Sequence, residues 1–337
     1  MRAYEIRGGF GLDKLVLGER PDPEPGPFQV RVRVKATSLN YRDLMMVEGR
    51  YNPRQKLPLI PNSDGAGVVD AVGQGVTRVK PGDRVMGLFS QAWPAGEPTR
   101  TAQQHTLGGP LDGALGDTMV LHEDGVVLTP AYLSDEEAAT LPCAALTAWS
   151  ALVTYGALKA GDVVLLQGTG GVSIFALQIA KLLGARVIIT SSRDDKLERA
   201  RALGAHDLIN YVTTPDWDKA ARALTGNAGV DHVVEVGGAG TFEKSLRAVR
   251  PGGTVSVIGV LSGGSGAVPL TSILMQNLRV QGILVGHRQG FEALVRAFSQ
   301  HSVRPVVDRV FAFDEAVAAF HHLKSGAHFG KVVVRVG

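Results

Sequence analysis

Cysteine is almost missing, with one residue, Cys143, in a chain of 337. A single cysteine excludes any disulfide within the chain, and with it a disulfide-stapled secreted scaffold. It equally excludes a structural zinc site built on several thiolates. Charge of one sign is scarce too. Lys and Arg number 35 against 32 Asp and Glu, leaving a formal net charge of +3, too small a surplus for a nucleic-acid footprint. No apolar run reaches the roughly 18 residues of a membrane span. Met1–Ile6 starts in a strand-like pattern without the apolar core of a signal peptide, so a cytoplasmic chain is expected. Internal repeats and low-complexity tracts are also lacking. Glycine is what the chain has in plenty, 42 residues, well above the usual share of about 7 per cent. At roughly 150 residues per domain, the length predicts two domains.

Periodicity changes along the chain. Gln29–Lys35 alternates strictly, with Val30, Val32 and Val34 on one face and Arg31, Arg33 and Lys35 on the other, the pattern of a half-buried strand. Short strands are predicted at Arg2–Ile6, Leu15–Glu19, Ala66–Val72, Arg84–Phe89 and Thr118–Leu121, separated by turns such as Pro81-Gly82-Asp83, which suggests a small barrel-like domain. Residues 90–117 hold few apolar anchors and read as a long surface loop. The middle of the chain alternates six apolar strands, beginning at Asp162–Gln167 and ending at Arg279–Val285, with five helical stretches. That pattern predicts an α/β doubly wound parallel sheet, because each parallel crossover needs a helix. Helices are expected again at Phe291–Ser299 and Asp314–Lys324. The last strand, Lys331–Val336, has no place in the six-stranded sheet and is expected to pair with the N-terminal domain.

Gly168-Thr169-Gly170-Gly171-Val172-Ser173 follows the first of the six strands and opens a helix, the context a dinucleotide fingerprint requires. Glycine permits the tight turn and the close approach of backbone to pyrophosphate, and the helix N-terminus offers free N–H groups. Ser173 stands at the third position in place of Gly or Ala, small enough for helix–strand packing. The second strand ends in Ser191-Ser192-Arg193 with Lys196 a turn later. Hydroxyls and a guanidinium suit a 2′-phosphate, so NADP is the expected cofactor. Asp194 and Asp195 oppose this, but they lie past the strand end, where Asp195 or its neighbour is expected to cap the next helix. Tyr211 either borders the phosphate pocket or is a half-buried aromatic at a strand end.

With these residues in view, the chain resembles the medium-chain dehydrogenase/reductase superfamily over nearly its whole length, and its zinc-independent quinone oxidoreductase-like branch in particular. Asn40-Tyr-Arg-Asp43, Gly73–Val85, Leu141–Trp149 and the Gly168 loop carry the resemblance. It implies a GroES-like β-rich catalytic domain, 1–125 completed by 288–337, around a Rossmann domain, 126–287. Zinc-dependent relatives hold their metal through a Cys, a Gly-His-Glu motif and a second Cys. Here Asn40, Ser63 and Asp64 stand at the first of those positions and only Cys143 remains, a poor set for a metal that prefers imidazole and thiolate. No metal is therefore expected, and Cys143 reads as a small buried apolar residue on the helix joining the domains.

Without a Lewis acid, oxidation of a simple alcohol loses its means of stabilising the alkoxide. Hydride transfer to a quinone or enone needs only hydrogen-bond donors at the conjugated oxygen. The resemblance thus implies a small-molecule quinone or α,β-unsaturated carbonyl as substrate, with Asn40 and Tyr41 lining the pocket, or Asn40 and Asp43 only bracing a helix. Thr147, Gly237, Gly238, Gly259, Val260 and Leu261 are expected near the nicotinamide half. Gly286, His287, Arg288 and Lys331 resemble later cofactor contacts. Competing readings are an NAD(P)-dependent alcohol dehydrogenase or carbonyl reductase and, from another class, a non-catalytic nucleotide-binding protein. The family often pairs through the edge strand, so a homodimer is expected. His321, His322 and His328 read as a solvated helix end, since adjacent helical residues diverge by about 100°. The basic stretch Arg193–Arg201 reads as an exposed helix face, and Trp93 as a substrate cover or a loop anchor.

Overall fold

The computed structural model describes all of residues 1–337. The chain begins with strands β1 (Arg2–Ile6), β2 (Leu15–Glu19), β3 (Gln29–Leu39), β4 (Asp64–Val72), β5 (Arg84–Gly87), β6 (Thr118–His122) and β7 (Val126–Leu128). Helices α1 (Tyr41–Val47), α2 (Arg100–Gln104) and α3 (Asp135–Ala138) interrupt or follow them. After α4 (Leu146–Trp149), strands and helices alternate. They are β8 (Val163–Gln167), α5 (Gly171–Leu182), β9 (Arg186–Ser191), α6 (Asp194–Leu203), β10 (Asp207–Asn210), α7 (Trp217–Leu224), β11 (Val230–Glu235), α8 (Phe242–Ala248), β12 (Val249–Val257), α9 (Leu270–Met275) and β13 (Arg279–Gly282). The chain closes with α10 (Arg288–His301), β14 (Val307–Phe311), α11 (Ala316–Lys324) and β15 (Lys331–Arg335).

These elements form two units, Met1–Leu146 with Gly286–Gly337, and Thr147–Val285. The sequence boundary at 125/126 is too early, because β7 pairs with β5 and Arg84 ion-pairs with Asp135, which ties the stretch after 125 to the first unit. In that unit the strands run β14-β15-β3-β4-β5-β7, with β6 also paired to β3. The alternation in β3 has its expected effect: Val30, Val32 and Val34 are buried in the core, each contributing about 1.5–3 kcal/mol. Arg31 and Arg33 lie on the other side and share the Asp70 carboxylate at 2.9 and 3.1 Å. The last strand, β15, is antiparallel to β3 and parallel to β14, so both ends of the chain build this unit.

Residues 90–117 are not a bare surface loop. They hold α2, and Trp93, Ala102, Leu107, Ala114 and Leu115 are buried. The Arg42 guanidinium donates to the carbonyls of Leu107 at 2.7 Å and Gly109 at 3.1 Å, which pins the segment to α1. Trp93 anchors the loop: its indole N–H donates to the Gly96 carbonyl at 3.0 Å.

In the second unit the six strands run β10-β9-β8-β11-β12-β13, all parallel. Helices cover both faces, so the central strands are continuous apolar runs rather than alternating ones. Val164, Leu165 and Leu166 of β8 and Val187, Ile188 and Ile189 of β9 are fully buried. Strand order reverses between β8 and β11, the place where ligands of such sheets bind, outside the carboxyl ends of the strands.

Candidate active site

At that switch point β8 ends in Gln167 and the chain turns at Gly168, whose φ of 72° is left-handed backbone with open space where a Cβ would project. Gly170 is the N-cap of the twelve-residue α5, and no side chain caps that helix. Its first-turn N–H groups therefore lie open beside a glycine turn, an arrangement that fits a pyrophosphate. Ser173 explains its departure from the glycine pattern: buried, it donates its hydroxyl to the Gln167 carbonyl at 2.6 Å.

Gly168, Thr169, Gly170, Gly171, Val172, Ser191, Ser192, Arg193, Tyr211, Gly237, Gly259, Val260 and Leu261 all stand at or just past the carboxyl ends of β8–β12. Thr147 is buried at the start of this unit. Tyr211, Val260 and Leu261 are well exposed. At the end of β9, Asp195 does not cap α6. Its carboxylate instead binds the Arg193 guanidinium in bidentate fashion, at 2.9 and 2.8 Å. Lys196 is buried on α6, apart from the exposed face that the surrounding basic stretch presents.

The first unit holds a buried polar cluster. Asn40 precedes α1, and its backbone N–H donates to the Asp43 carboxylate at 2.9 Å, which also accepts from the Ser63 N–H at 3.2 Å. The Asn40 side chain donates to Asp64 at 2.8 Å and to the Ser63 hydroxyl at 3.4 Å. Lys331 completes the set. Its ammonium donates to the Leu39 carbonyl at 2.9 Å, the Asn40 carboxamide oxygen at 2.5 Å and the Asp64 carboxylate at 3.4 Å. Burial raises the Asp64 carboxyl to about 6, partly offset by Lys331 and the Asn40 hydrogen bond. Burial likewise raises Asp43, and it pushes the Cys143 thiol far up, reinforced by the Asp64 carboxylate.

Several expected cofactor contacts have other work. Lys331 is buried with three donors and three acceptors, so nothing remains to offer a cofactor. His287 is the N-cap of α10, accepting the Gly290 N–H at 2.9 Å, and Trp93 packs edge-on against it. Arg288 is ion-paired with Asp124. Gly286 is buried at the start of the returning segment. Tyr41 is 37 % exposed at the start of α1. His322 bonds Asp308 at 2.9 Å instead of lying free at a solvated helix end. Sequence reasoning missed Glu235, a fully buried carboxylate at the end of β11.

A family model described as "Alcohol dehydrogenase GroES-like domain" matches residues 26–131, and one described as "Zinc-binding dehydrogenase" matches residues 171–300. The chain is 42% identical over 335 residues to a zinc-type alcohol dehydrogenase-like protein of Schizosaccharomyces pombe, covering 97% of this chain and 96% of that one. A crystal structure of an NAD-dependent alcohol dehydrogenase, 38% identical, superposes with a TM-score of 0.92 over 100% of both chains. The structure of a 2-octenoyl-CoA carboxylase reductase in complex with NADP and 2-octenoyl-CoA, 29% identical, gives a TM-score of 0.87 over 96% of this chain and 82% of that one.

Two of these names carry zinc, and the residues here do not fit it. The donors gathered at Asn40 are an amide, a hydroxyl and a carboxylate, and the Lys331 ammonium already sets a cation against the Asn40 oxygen and one Asp64 oxygen. Cys143 is the chain's single thiol, and imidazole and thiolate are the ligands zinc prefers. No group of three or more His, Cys, Asp and Glu is placed to hold a metal. No helix is long and apolar enough to cross a membrane. The glycine turn with its uncapped helix, together with matches over both units, means that the chain belongs to the medium-chain dehydrogenase/reductase superfamily and is an NAD(P)-dependent oxidoreductase.

Proposed function

We propose that this oxidoreductase is a zinc-independent, NADPH-dependent reductase of conjugated substrates, a quinone or an α,β-unsaturated carbonyl. The observation that carries the reading is the ammonium of Lys331 bonded among Asn40 and Asp64, where a Lewis acid would otherwise need those oxygens. An alkoxide formed from a simple alcohol calls for strong local stabilisation. A conjugated acceptor spreads the incoming charge onto an oxygen that hydrogen bonds can stabilise. The reduced dinucleotide supplies hydride, and water or a hydroxyl such as that of the exposed Tyr41 supplies the proton. The relative bound to NADP and an enoyl thioester supports both the cofactor and the substrate class. Arg193 and the Ser191-Ser192 pair at the end of β9 support a 2′-phosphate. The Asp195 carboxylate gripping Arg193 favours a second reading, NADH, in keeping with the NAD-dependent relative.

A homodimer and a cytoplasmic location belong to the same proposal. Strand β13 closes one edge of the sheet, and Leu270, Leu274 and Met275 on the preceding α9 are 72, 73 and 75 % exposed, an apolar face suited to a second copy. A solution mass of 35.6 kDa, in place of twice that value, would count against pairing. The single cysteine, buried as a thiol, supports a reducing compartment.

The test is a panel of quinones, enones and simple alcohols assayed with NADPH and NADH, before and after chelation. Reduction of conjugated substrates that survives chelation, with Arg193→Ala weakening NADPH more than NADH, is the expected result. Turnover confined to alcohols, or activity lost on chelation and restored by zinc, would refute it.

A further inference from the structure

Glu235 and Gln167 end neighbouring parallel strands, β11 and β8, on either side of the point where strand order reverses. Glu235 is fully buried, Gln167 nearly so, and no cation pairs with the carboxylate. Five neutral donors surround it. Oε1 accepts from the N–H groups of Gly237 at 2.7 Å and Gly238 at 2.9 Å and from the Thr241 hydroxyl at 2.6 Å. Oε2 accepts from the Ser245 hydroxyl at 2.5 Å and from Gln167 Nε2 at 2.7 Å. The Gln167 carboxamide runs the other way: its oxygen accepts from the N–H groups of Val236 at 3.2 Å and Gly237 at 3.3 Å.

Donor and acceptor roles in this network leave no choice. Backbone N–H groups cannot reverse, so Glu235 Oε1 and Gln167 Oε1 must both be acceptors, and the single Gln167–Glu235 contact must run from amide to carboxylate. One buried pair therefore fixes the spacing of two loops. Gln167 immediately precedes Gly168, and Glu235 holds the turn that starts at Gly237. Backbone contact extends the order to a third loop. Gly238 has a φ of 84°, and a Cβ there would lie 2.5 Å from the Gly263 carbonyl oxygen.

We infer that Glu235 and Gln167 form a positioning clamp that sets the gap between the pyrophosphate turn and the Gly237–Gly238 loop, and thereby the affinity for the dinucleotide. The inference rests on the dinucleotide reading of the Gly168 turn. Neither residue need touch the cofactor; each acts through the backbone it holds.

The test is a reciprocal exchange read by titration of the full chain with NADPH and NADH. Glu235→Gln alone sets two amide donors face to face, because neither amide can turn without opposing a backbone N–H. Gln167→Glu alone sets two carboxylates together. Each single variant is expected to raise the dissociation constant for both dinucleotides about tenfold, the order of effect of one buried mismatch. The enone KM at saturating cofactor stays unchanged. The double variant Glu235→Gln with Gln167→Glu restores an amide–carboxylate pair in reverse and is expected to bind within about threefold of the parent. Should a single variant not fold, Thr241→Val removes one donor to Oε1 and is expected to weaken binding about threefold without changing the enone KM. Parental affinity in the single variants and in Thr241→Val, or a double variant weaker than either single one, would overturn the clamp. A parent protein that binds neither dinucleotide would overturn the cofactor reading as well.

Discussion

Replacing Lys331 by Met removes the charge but keeps the length of the side chain, and the structure gives the expected cost. The ammonium is one partner of a fully buried ion pair with Asp64 and also holds Asn40 and the Leu39 carbonyl. Breaking such a pair from one side leaves a buried carboxylate without its cation, which costs about 3–5 kcal/mol. The loss depends on pH. The Asp64 carboxyl is raised to about 6 by burial, so the fold favours its protonated form, and its ionisation costs stability as pH rises from the ordinary carboxylate value of about 4. At pH 5 the acid is mostly neutral, and Lys331→Met removes only hydrogen bonds, about 1–2 kcal/mol. At pH 8 the full penalty applies, since removing the ammonium moves the carboxyl further up and extends the unfavourable window. Urea unfolding of parent and variant at both pH values measures the difference. Adding Asp64→Asn should recover more than half of the loss at pH 8, because a buried pair replaced on both sides is nearly neutral. A variant equally destabilised at pH 5 and pH 8, or a double variant worse than Lys331→Met, would refute the assignment of charge to this cluster.

The His287 imidazole is held below its ordinary range by burial, against the opposing charge of Glu97, and its ring nitrogen caps α10. A neutral cap is present above the ordinary histidine value of about 6.5 and is lost as pH falls below it. The parent should therefore lose stability on this account between pH 7.5 and 5.5, and His287→Asn, which keeps an acceptor, should lose less in a thermal melt series. An unchanged slope would refute the capping role. Cys143, buried with its thiol pushed far up, should resist a thiol reagent at pH 8 while folded and react fully in urea. Stoichiometric labelling of the native protein at the rate of a free thiol would contradict that placement. Freeing Arg193 by Asp195→Ala should tighten NADPH relative to NADH in a binding titration, and an unchanged ratio would remove Arg193 from cofactor selection.

What could be read in the sequence depended on how local each signal was. The six-stranded sheet and the Gly168 turn were legible because strand, turn and helix follow one another within about twenty residues, each with its own period. The discontinuous first unit was legible from a strand, Lys331–Val336, left without a place. Lys331 itself was misread. A motif suggested a cofactor contact, but its partners Asn40 and Asp64 lie 291 and 267 residues away, beyond the reach of any period. Glu235 was invisible for another reason: within Val-Val-Glu-Val it reads as one polar residue of a strand, and its five donors come from a neighbouring strand, a following turn and a helix, whose meeting no pattern encodes. The segment 90–117 misled because its buried residues fall in short runs without helical or strand periodicity, and part of it is held by carbonyl contacts of Leu107 and Gly109 to Arg42.

Strand β15 lies in the chain beyond the whole of the second unit, yet it delivers the cation of the buried cluster in the first. During synthesis, Asn40, Asp43 and Asp64 leave the ribosome long before Lys331 does, and domains fold as they emerge. The Thr147–Val285 unit is complete in sequence while the earlier one still lacks β14 and β15, the strands that flank β3 on one side of its sheet. Through that interval Asp64 lacks its cation, which arrives only with the returning strand that pairs with β3. Assembly of this centre therefore cannot precede synthesis of residue 331, and a chain halted before it would hold the whole sequence of the nucleotide-binding unit without the cation of this cluster.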